Sequence, residues 1–157
     1  MATRDIAHQD LDWVLKLNTD NEEKLSPLDS RGLWSLIDAS YCALATTDQA
    51  GFMVAFDHNC DYGSPNFLWF KDRYPQFVYV DRIAVCDAAR GQGIARRLYE
   101  ALFHRARADH LGFIGCEVNM NPPNPGSDAF HARMGFVVTG QAQLDGDKCV
   151  RYWGKKI

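Results

Sequence analysis

The stretch from Phe77 to Arg97 constrains this chain more than any other. Phe77 to Val85 is dense in β-branched and aromatic residues, the composition of a strand. After a short loop, Arg90-Gly91-Gln92-Gly93 leads into Ile94, Leu98 and Leu102 at helical spacing, with Tyr99 and Phe103 beside them. The expected helix runs from Arg90 to His104. A strand that turns over glycines into a helix leaves N–H groups unpaired at the helix start, and their partial positive charge favours an anion. Gly91 and Gly93 remove side chains so that a phosphate can approach the backbone, while Arg90, Arg96 and Arg97 add full charges. The G-K-S/T of a nucleotide-binding P-loop is absent, and Arg96 stands where a G-x-G-x-x-G fingerprint needs its third glycine. The residues alone leave two readings, a pyrophosphate cradle or a glycine-rich turn that holds nothing.

The flanking segments fit an α/β domain of mixed α+β kind around one sheet. Thr3 to Ala7 reads as a short strand. Asp10 precedes Leu11, Val14, Leu15 and Leu17 on one helical face. Asp29 or Ser30 caps a second helix whose inner face carries Leu33, Trp34, Leu36 and Ile37. Tyr41 to Thr46 and Phe52 to Phe56 form a hairpin over Asp48-Gln49-Ala50-Gly51. Residues 57–75, with Gly63, Pro65 and Pro75 among Tyr62, Phe67, Trp69, Phe70 and Tyr74, are expected to be irregular, either a functional loop or a folded-over aromatic cluster. Phe113 to Val118 is a further strand, and Pro122, Pro123 and Pro125 make a stiff link. Ser127 to Met134 is a short helix stopped by Gly135. Phe136 to Val138 and Cys149 to Trp153 close the sheet around Asp145-Gly146.

A length of 157 residues suits one domain, 1–157. A net charge of -3 argues against nucleic acid as a partner. There is no apolar run of about 18 residues, so no membrane partner is expected. Cys42, Cys60, Cys86, Cys116 and Cys149 are odd in number and widely spaced, which points to free thiols in a cytoplasmic protein and to no metal knuckle.

Two blocks together resemble a known family. Arg90-Gly91-Gln92-Gly93-Ile94-Ala95 fits the coenzyme A motif Q/R-x-x-G-x-G/A of the GNAT superfamily of N-acetyltransferases. Downstream, Asn124-Pro125-Gly126-Ser127-Asp128-Ala129-Phe130-His131-Ala132-Arg133-Met134-Gly135-Phe136 is similar to the family's N-x-x-A/S-x-x-L/F-Y/H-x-x-x-G-F. The resemblance covers residues 77–140 firmly and the earlier elements in outline. It departs between Val118 and Asn124, a stretch longer than the family pattern, which bears on Asn119, Asn121 and Asn124. It implies a GNAT-like fold: a central, mostly antiparallel mixed sheet with splayed fourth and fifth strands, flanked by helices. Acetyl-coenzyme A would lie between those strands as co-substrate, without a metal. Its pantetheine arm would pair with the backbone of Ile83, Ala84 and Val85. Its pyrophosphate would sit on Gly91, Gln92, Gly93, Ile94, Ala95 and Arg96, beside Arg90. Asn119 and Asn124 would bond the pantetheine region, and Ser127, Phe130 and His131 would line the groove. Many members form homodimers.

The implied reaction sets the remaining expectations. A lysine-like amine has a pKa of about 10.4, so only about one molecule in a thousand is neutral at pH 7, and a base is needed. Asp81 is preferred, with Tyr79 and Glu117 as the other candidates. Tyr79, Asp81, Ile83 and Val85 are expected to share one strand face. Either carboxylate could instead belong to a structural ion pair, Asp81 with Arg82 for instance. The Val85 N–H would steady the oxyanion. His131, where many relatives carry tyrosine, would protonate the leaving thiolate. The end of its helix favours the charged form, and the alternative is a histidine that only packs beside the groove. Asp20, Glu22, Glu23, Asn18 and Asn21 are candidate contacts of the acceptor. Phe67, Trp69 and Phe70 would wall its pocket or cap the core. The preferred acceptor is a small, amino-acid-like amine. The alternatives are a protein or peptide N-terminus, favoured by an open groove, and a non-catalytic acyl-coenzyme A binding module.

Overall fold

The computed structural model describes residues 2–157. Along the chain run β1 (Thr3–Asp5), α1 (Leu11–Asp20), α2 (Ser30–Ala39), β2 (Cys42–Thr46), β3 (Gly51–Asp57), α3 (Pro65–Lys71), β4 (Val78–Val85), α4 (Ile94–Ala108), β5 (Phe113–Asn121), α5 (Pro125–Arg133), β6 (Val137–Gln143) and β7 (Cys149–Lys156). The seven strands form one sheet in the order β1-β2-β3-β4-β5-β7-β6. Every pairing is antiparallel except β4 with β5.

Both faces of the sheet are covered, which is why β2 and most of β3 are buried without alternation. On one face α4 lays down Ile94, Leu98, Tyr99, Leu102, Phe103 and Ala106, joined by Met134 and Phe136. On the other, Val14 and Leu17 of α1, Leu33 of α2, and Phe67 and Phe70 of α3 pack on Phe52, Phe56 and Tyr79. The β2–β3 turn is closed by the Thr46 hydroxyl, which accepts from the N–H groups of Ala50 (2.9 Å) and Gly51 (3.1 Å). Asp29 caps α2 by accepting from the Gly32 N–H at 2.7 Å.

Four expectations need correction. Residues 57–75 are not irregular throughout, because α3 forms within them. Pro65 sits in its first turn, where proline costs no hydrogen bond, and Phe67 and Phe70 turn the aromatic cluster into core. Gly115 permits this: a Cβ there would lie 2.4 Å from the Phe70 ring. The helix expected from Arg90 begins at Ile94, because Gly91 and Gly93 hold φ of 79° and 77°, outside the right-handed region. The strand expected over Phe113–Val118 continues to Asn121, before a tight turn at Pro122–Pro123. Finally, Tyr79, Asp81, Ile83 and Val85 do not share a face. Val54 pairs with Arg82 and Ala55 with Val80, leaving Asp81 as the extra residue of a β-bulge. The bulge shifts the alternation, so Tyr79 packs toward α3 while Ile83 and Val85 pack toward α4.

Candidate active site

The parallel pairing of β4 with β5 covers only Val78, Tyr79 and Val80 against Ile114, Gly115 and Cys116. Beyond that vertex β4 stays on β3 and β5 turns onto β7. The edge of β4 from Asp81 to Val85 that faces the gap therefore has no strand partner, and its polar groups are available to an extended ligand. The gap is a cleft of about 280 Å³. Ile83, Ala84 and Val85 line it on one side, Asn119, Asn124, Ser127, Phe130 and His131 on the other, and Arg90 and Ala95 lie toward α4.

The α4 end of the cleft leaves N–H groups open, a feature that suits an anion. The first hydrogen bond of the helix runs from the Arg97 N–H to the Gly93 carbonyl, so Ile94, Ala95 and Arg96 have no intrahelical acceptor. Nothing lies within 4 Å of a Cβ built on Gly91 or Gly93, and Gly91, Gln92, Gly93 and Arg96 are exposed. The Ile94 side chain is core, so only its backbone can serve a ligand. Asn124 caps α5, its side-chain oxygen accepting from the Ser127 N–H at 3.4 Å. Asn121 points away, donating to the Asp147 carbonyl at 2.8 Å.

A second, polar cavity of about 500 Å³ adjoins the cleft. It is walled by Glu22 to Pro27 after α1, by Tyr62 and Ser64 to Asn66 at the start of α3, and by Lys148. Lys24, Leu25, Asp81, Arg82, Glu117 and Asn119 line both cavities and form their junction. Of the expected acceptor contacts, Glu22 and Glu23 line this cavity. Asp20 pairs with Lys16, Asn18 supports Arg82, and Asn21 lies in the cleft. Phe67 and Phe70 are fully buried core, and Trp69 stacks on Tyr152 at 4.1 Å.

At the junction the three base candidates separate by their partners. Asp81 uses both oxygens: one accepts from the Tyr62 hydroxyl at 2.6 Å, the other from Arg82 Nε at 2.9 Å. Arg82 Nη1 donates to the Asn18 side chain (2.9 Å) and the Ser26 carbonyl (3.1 Å). Its Nη2 has no hydrogen-bond partner among the described residues. Tyr79 is fully buried and donates to Glu117 Oε2 at 2.6 Å. Burial holds the Tyr79 hydroxyl well above its ordinary pKa, so it keeps its proton. Glu117 is half-buried at the junction, and its surroundings push its carboxyl up to about 8. Burial is the main cause and Asp81 adds to it, while the Tyr79 hydrogen bond works against both.

His131 is also held differently from expectation. It is 4% exposed. Nδ1 lies 2.7 Å from the Ser127 carbonyl, which can only accept, so the proton resides on Nδ1. Nε2 then accepts from the Tyr99 hydroxyl at 2.7 Å. Burial lowers the His131 pKa, outweighing the Ser127 carbonyl and Asp128, so the neutral form replaces the charged form that the helix end implied. Both ring nitrogens are engaged within the protein. Tyr99, which the residue pattern placed only beside the apolar positions of its helix, lines the cleft together with His131 and Cys116. Burial also pushes the Cys116 thiol far above its ordinary value, with Glu117 adding to the effect.

The family model described as Acetyltransferase (GNAT) family matches residues 12–136. A protein of Pseudomonas paraeruginosa named L-methionine sulfoximine/L-methionine sulfone acetyltransferase is 28% identical over 161 residues, covering 96% of this chain and 88% of that protein. Two solved structures share the fold at low identity. NAA60 of Arabidopsis thaliana in complex with acetyl-CoA aligns with a TM-score of 0.77 at 16% identity, over 99% of both chains. Ribosomal-protein-alanine N-acetyltransferase of Brucella melitensis aligns with a TM-score of 0.76 at 19% identity, over 100% of both.

Proposed function

The chain belongs to the GNAT acetyltransferase family, and from that premise we propose that it moves the acetyl group of acetyl-CoA to the amine of a small, amino-acid-like acceptor within a ternary complex. The observation that carries this reading is the junction: the cleft and the polar cavity meet where Glu117, Asp81 and Arg82 lie together. Acetyl-CoA fits the cleft on physical grounds. The open amides of α4 and the two unencumbered glycines suit the pyrophosphate, and the unpaired β4 edge at Ile83, Ala84 and Val85 suits the pantetheine amides.

Glu117 is the base in this reading, in place of Asp81. A carboxyl at about 8 is matched to taking a proton from an amine near neutral pH, whereas Asp81 is held by Tyr62 and Arg82. The oxyanion donor is assigned to the β4 edge at the bulge, between Asp81 and Ile83. Val85 lies roughly 10 Å further along the strand from Arg82. Cys116 keeps its proton and is a poor nucleophile, which supports direct attack by the amine over a covalent acyl-enzyme.

Arg82 Nη2 and Lys24 supply cationic donors for a carboxylate beside Glu117, the arrangement an α-amino acid needs. The relative named for methionine derivatives supports the same class. A cavity walled by the start of α3, the segment after α1 and Lys148 favours a small acceptor over a peptide. The test is thiol release from acetyl-CoA with a panel of L-amino acids, their methyl esters, simple amines and short peptides. Free amino acids are expected to be acetylated, and esters to react with KM raised at least about tenfold, the loss of one charge-assisted hydrogen bond. Arg82→Lys, which keeps the charge but loses the planar fork, should raise KM for the amino acid more than it lowers kcat. Equal turnover of acid and ester would overturn the carboxylate assignment, and acetylation of peptides alone would overturn the small acceptor.

A further inference from the structure

In the polar cavity Glu117, Arg82 and Lys24 meet the amine and the carboxylate of the acceptor, and its side chain still needs a partner. Tyr152 of β7 is the register partner of Glu117 on β5, so the two side chains leave the same face of the sheet as neighbours. Tyr152 is fully buried, and its hydroxyl donates to Asn66 Oδ1 at 2.8 Å. Trp69 stacks on its ring at 4.1 Å and Phe70 meets it edge-on at 5.4 Å, which fixes the hydroxyl in place. Asn66 therefore stands one tyrosine away from the base, in the wall of the cavity.

The amide of Asn66 is used at one end only. The residue is 8% exposed. Its oxygen is taken by Tyr152, which leaves the two hydrogens on Nδ2. Nδ2 has no hydrogen-bond partner among the described residues, and it is not sealed off from the cavity that Asn66 lines. Asn18, the other buried asparagine, differs: it donates to the Ser26 carbonyl and accepts from Arg82. A buried donor left open toward a cavity calls for an oxygen on whatever fills that cavity. That oxygen should carry no charge. Asn66 is a neutral donor, and a second carboxylate pressed against it would lose its water without a bonded cation. Arg82 and Lys24 serve the α-carboxylate, Lys148 is exposed and acts on Glu117, and Glu22 and Glu23 add negative charge to the wall.

Resting on the amino-acid acceptor proposed above, we propose that Asn66, oriented by Tyr152, selects an acceptor whose side chain carries an uncharged hydrogen-bonding oxygen, such as that of a carboxamide. Asn66 is the specificity-determining residue. Tyr152 is a positioning residue: by occupying Oδ1 it turns the amide so that Nδ2 faces the acceptor.

The test compares acceptors matched in shape. L-Asparagine and L-glutamine are set against their hydrocarbon isosteres, L-leucine and L-homoleucine, and against L-aspartate and L-glutamate, with thiol release from acetyl-CoA as the readout. A site that hydrogen-bonds a substrate group rejects the analogue lacking it more sharply than a pocket that judges size alone. The better of the two amides is therefore expected to exceed both its isostere and its acid in kcat/KM by at least about tenfold. Asn66→Asp keeps the shape and the bond to Tyr152 but loses the donor, so the ratio of amide to isostere should collapse toward one. Tyr152→Phe frees the amide to turn and should lower that ratio by a smaller factor. Calorimetric binding of acetyl-CoA reports that each variant is folded. A purely structural Asn66 would slow all acceptors alike and leave the ratio where it was, which would overturn the proposal. So would a wild-type protein that takes the hydrocarbon isosteres or the acids as readily as the amides, and either result would leave the amino-acid reading intact. Acetyl-CoA binding with no turnover of any free amino acid would overturn that reading and this proposal with it.

Discussion

Glu117→Gln is expected to lower kcat by about a hundred- to ten-thousand-fold, the range that a positioned base contributes, with acetyl-CoA affinity unchanged. The wild-type kcat/KM should rise with pH through about 8 as Glu117 loses its proton, and the glutamine variant should lose that limb. Tyr79→Phe supplies the second arm. The Tyr79 hydroxyl donates to the carboxylate and so favours its charged form. Its removal should push the Glu117 pKa higher and move the limb to more alkaline pH. Stability carries the same signature. In the folded protein Glu117 holds a proton up to about 8, whereas its ordinary value is 4.5. Between those values the folded state binds more protons than the unfolded chain, so this residue's contribution to stability falls as pH rises. Glu117→Gln removes that slope, and thermal melts above and below the window should show the variant gaining on the wild type at the alkaline end. An unchanged pH limb in Glu117→Gln, or full activity, would remove Glu117 from the base role.

The second large effect concerns the cradle. Gly93→Asp is expected to weaken acetyl-CoA binding at least about a hundredfold, or ~2.7 kcal/mol. Gly93 is the N-cap of α4 at φ 77°, with open space where its Cβ would be. An aspartate side chain meets no neighbour there but strains the left-handed backbone, and its carboxylate competes for the same N–H groups and repels the pyrophosphate. Gly93→Asn separates charge from shape. Asparagine visits the left-handed region more readily than most residues, so it should lose much less affinity. Calorimetric titration of both variants reads the difference. Wild-type affinity in Gly93→Asp would detach the glycine turn from the cofactor.

The outline of the fold and the residues that line the cleft were legible in the sequence because their signals are local. Gly91 and Gly93 between a strand and an amphipathic run state their own geometry, and the Asn124–Phe136 block names the face of α5 that meets the cleft. The junction with the polar cavity was less legible because contacts distant in the chain create it. Arg82 is anchored by Asn18 and Ser26, Asp81 is taken up by Tyr62, and Glu117 is tuned by Tyr79 across the strand vertex. The bulge at Asp81 inverted an alternation that a period of two would predict, because one unpaired residue shifts every later side chain. α3 did leave a trace: Ser64-Pro65 before Phe67 and Phe70 at a spacing of three, with Lys71 in the last turn, is a helix signature. Tyr99 left none, since a tyrosine on the inner face of a helix reads as core until its hydroxyl is seen to meet His131.

The most direct measurement of the central claim is calorimetric titration of the wild-type protein with acetyl-CoA, with NAD and ATP as controls. One-site binding of acetyl-CoA and coenzyme A, with no comparable affinity for NAD or ATP, is the predicted result. It would justify the acceptor panel as the next step. Binding of NAD or ATP as tightly as acetyl-CoA, or no binding of acetyl-CoA, would contradict the account at its foundation.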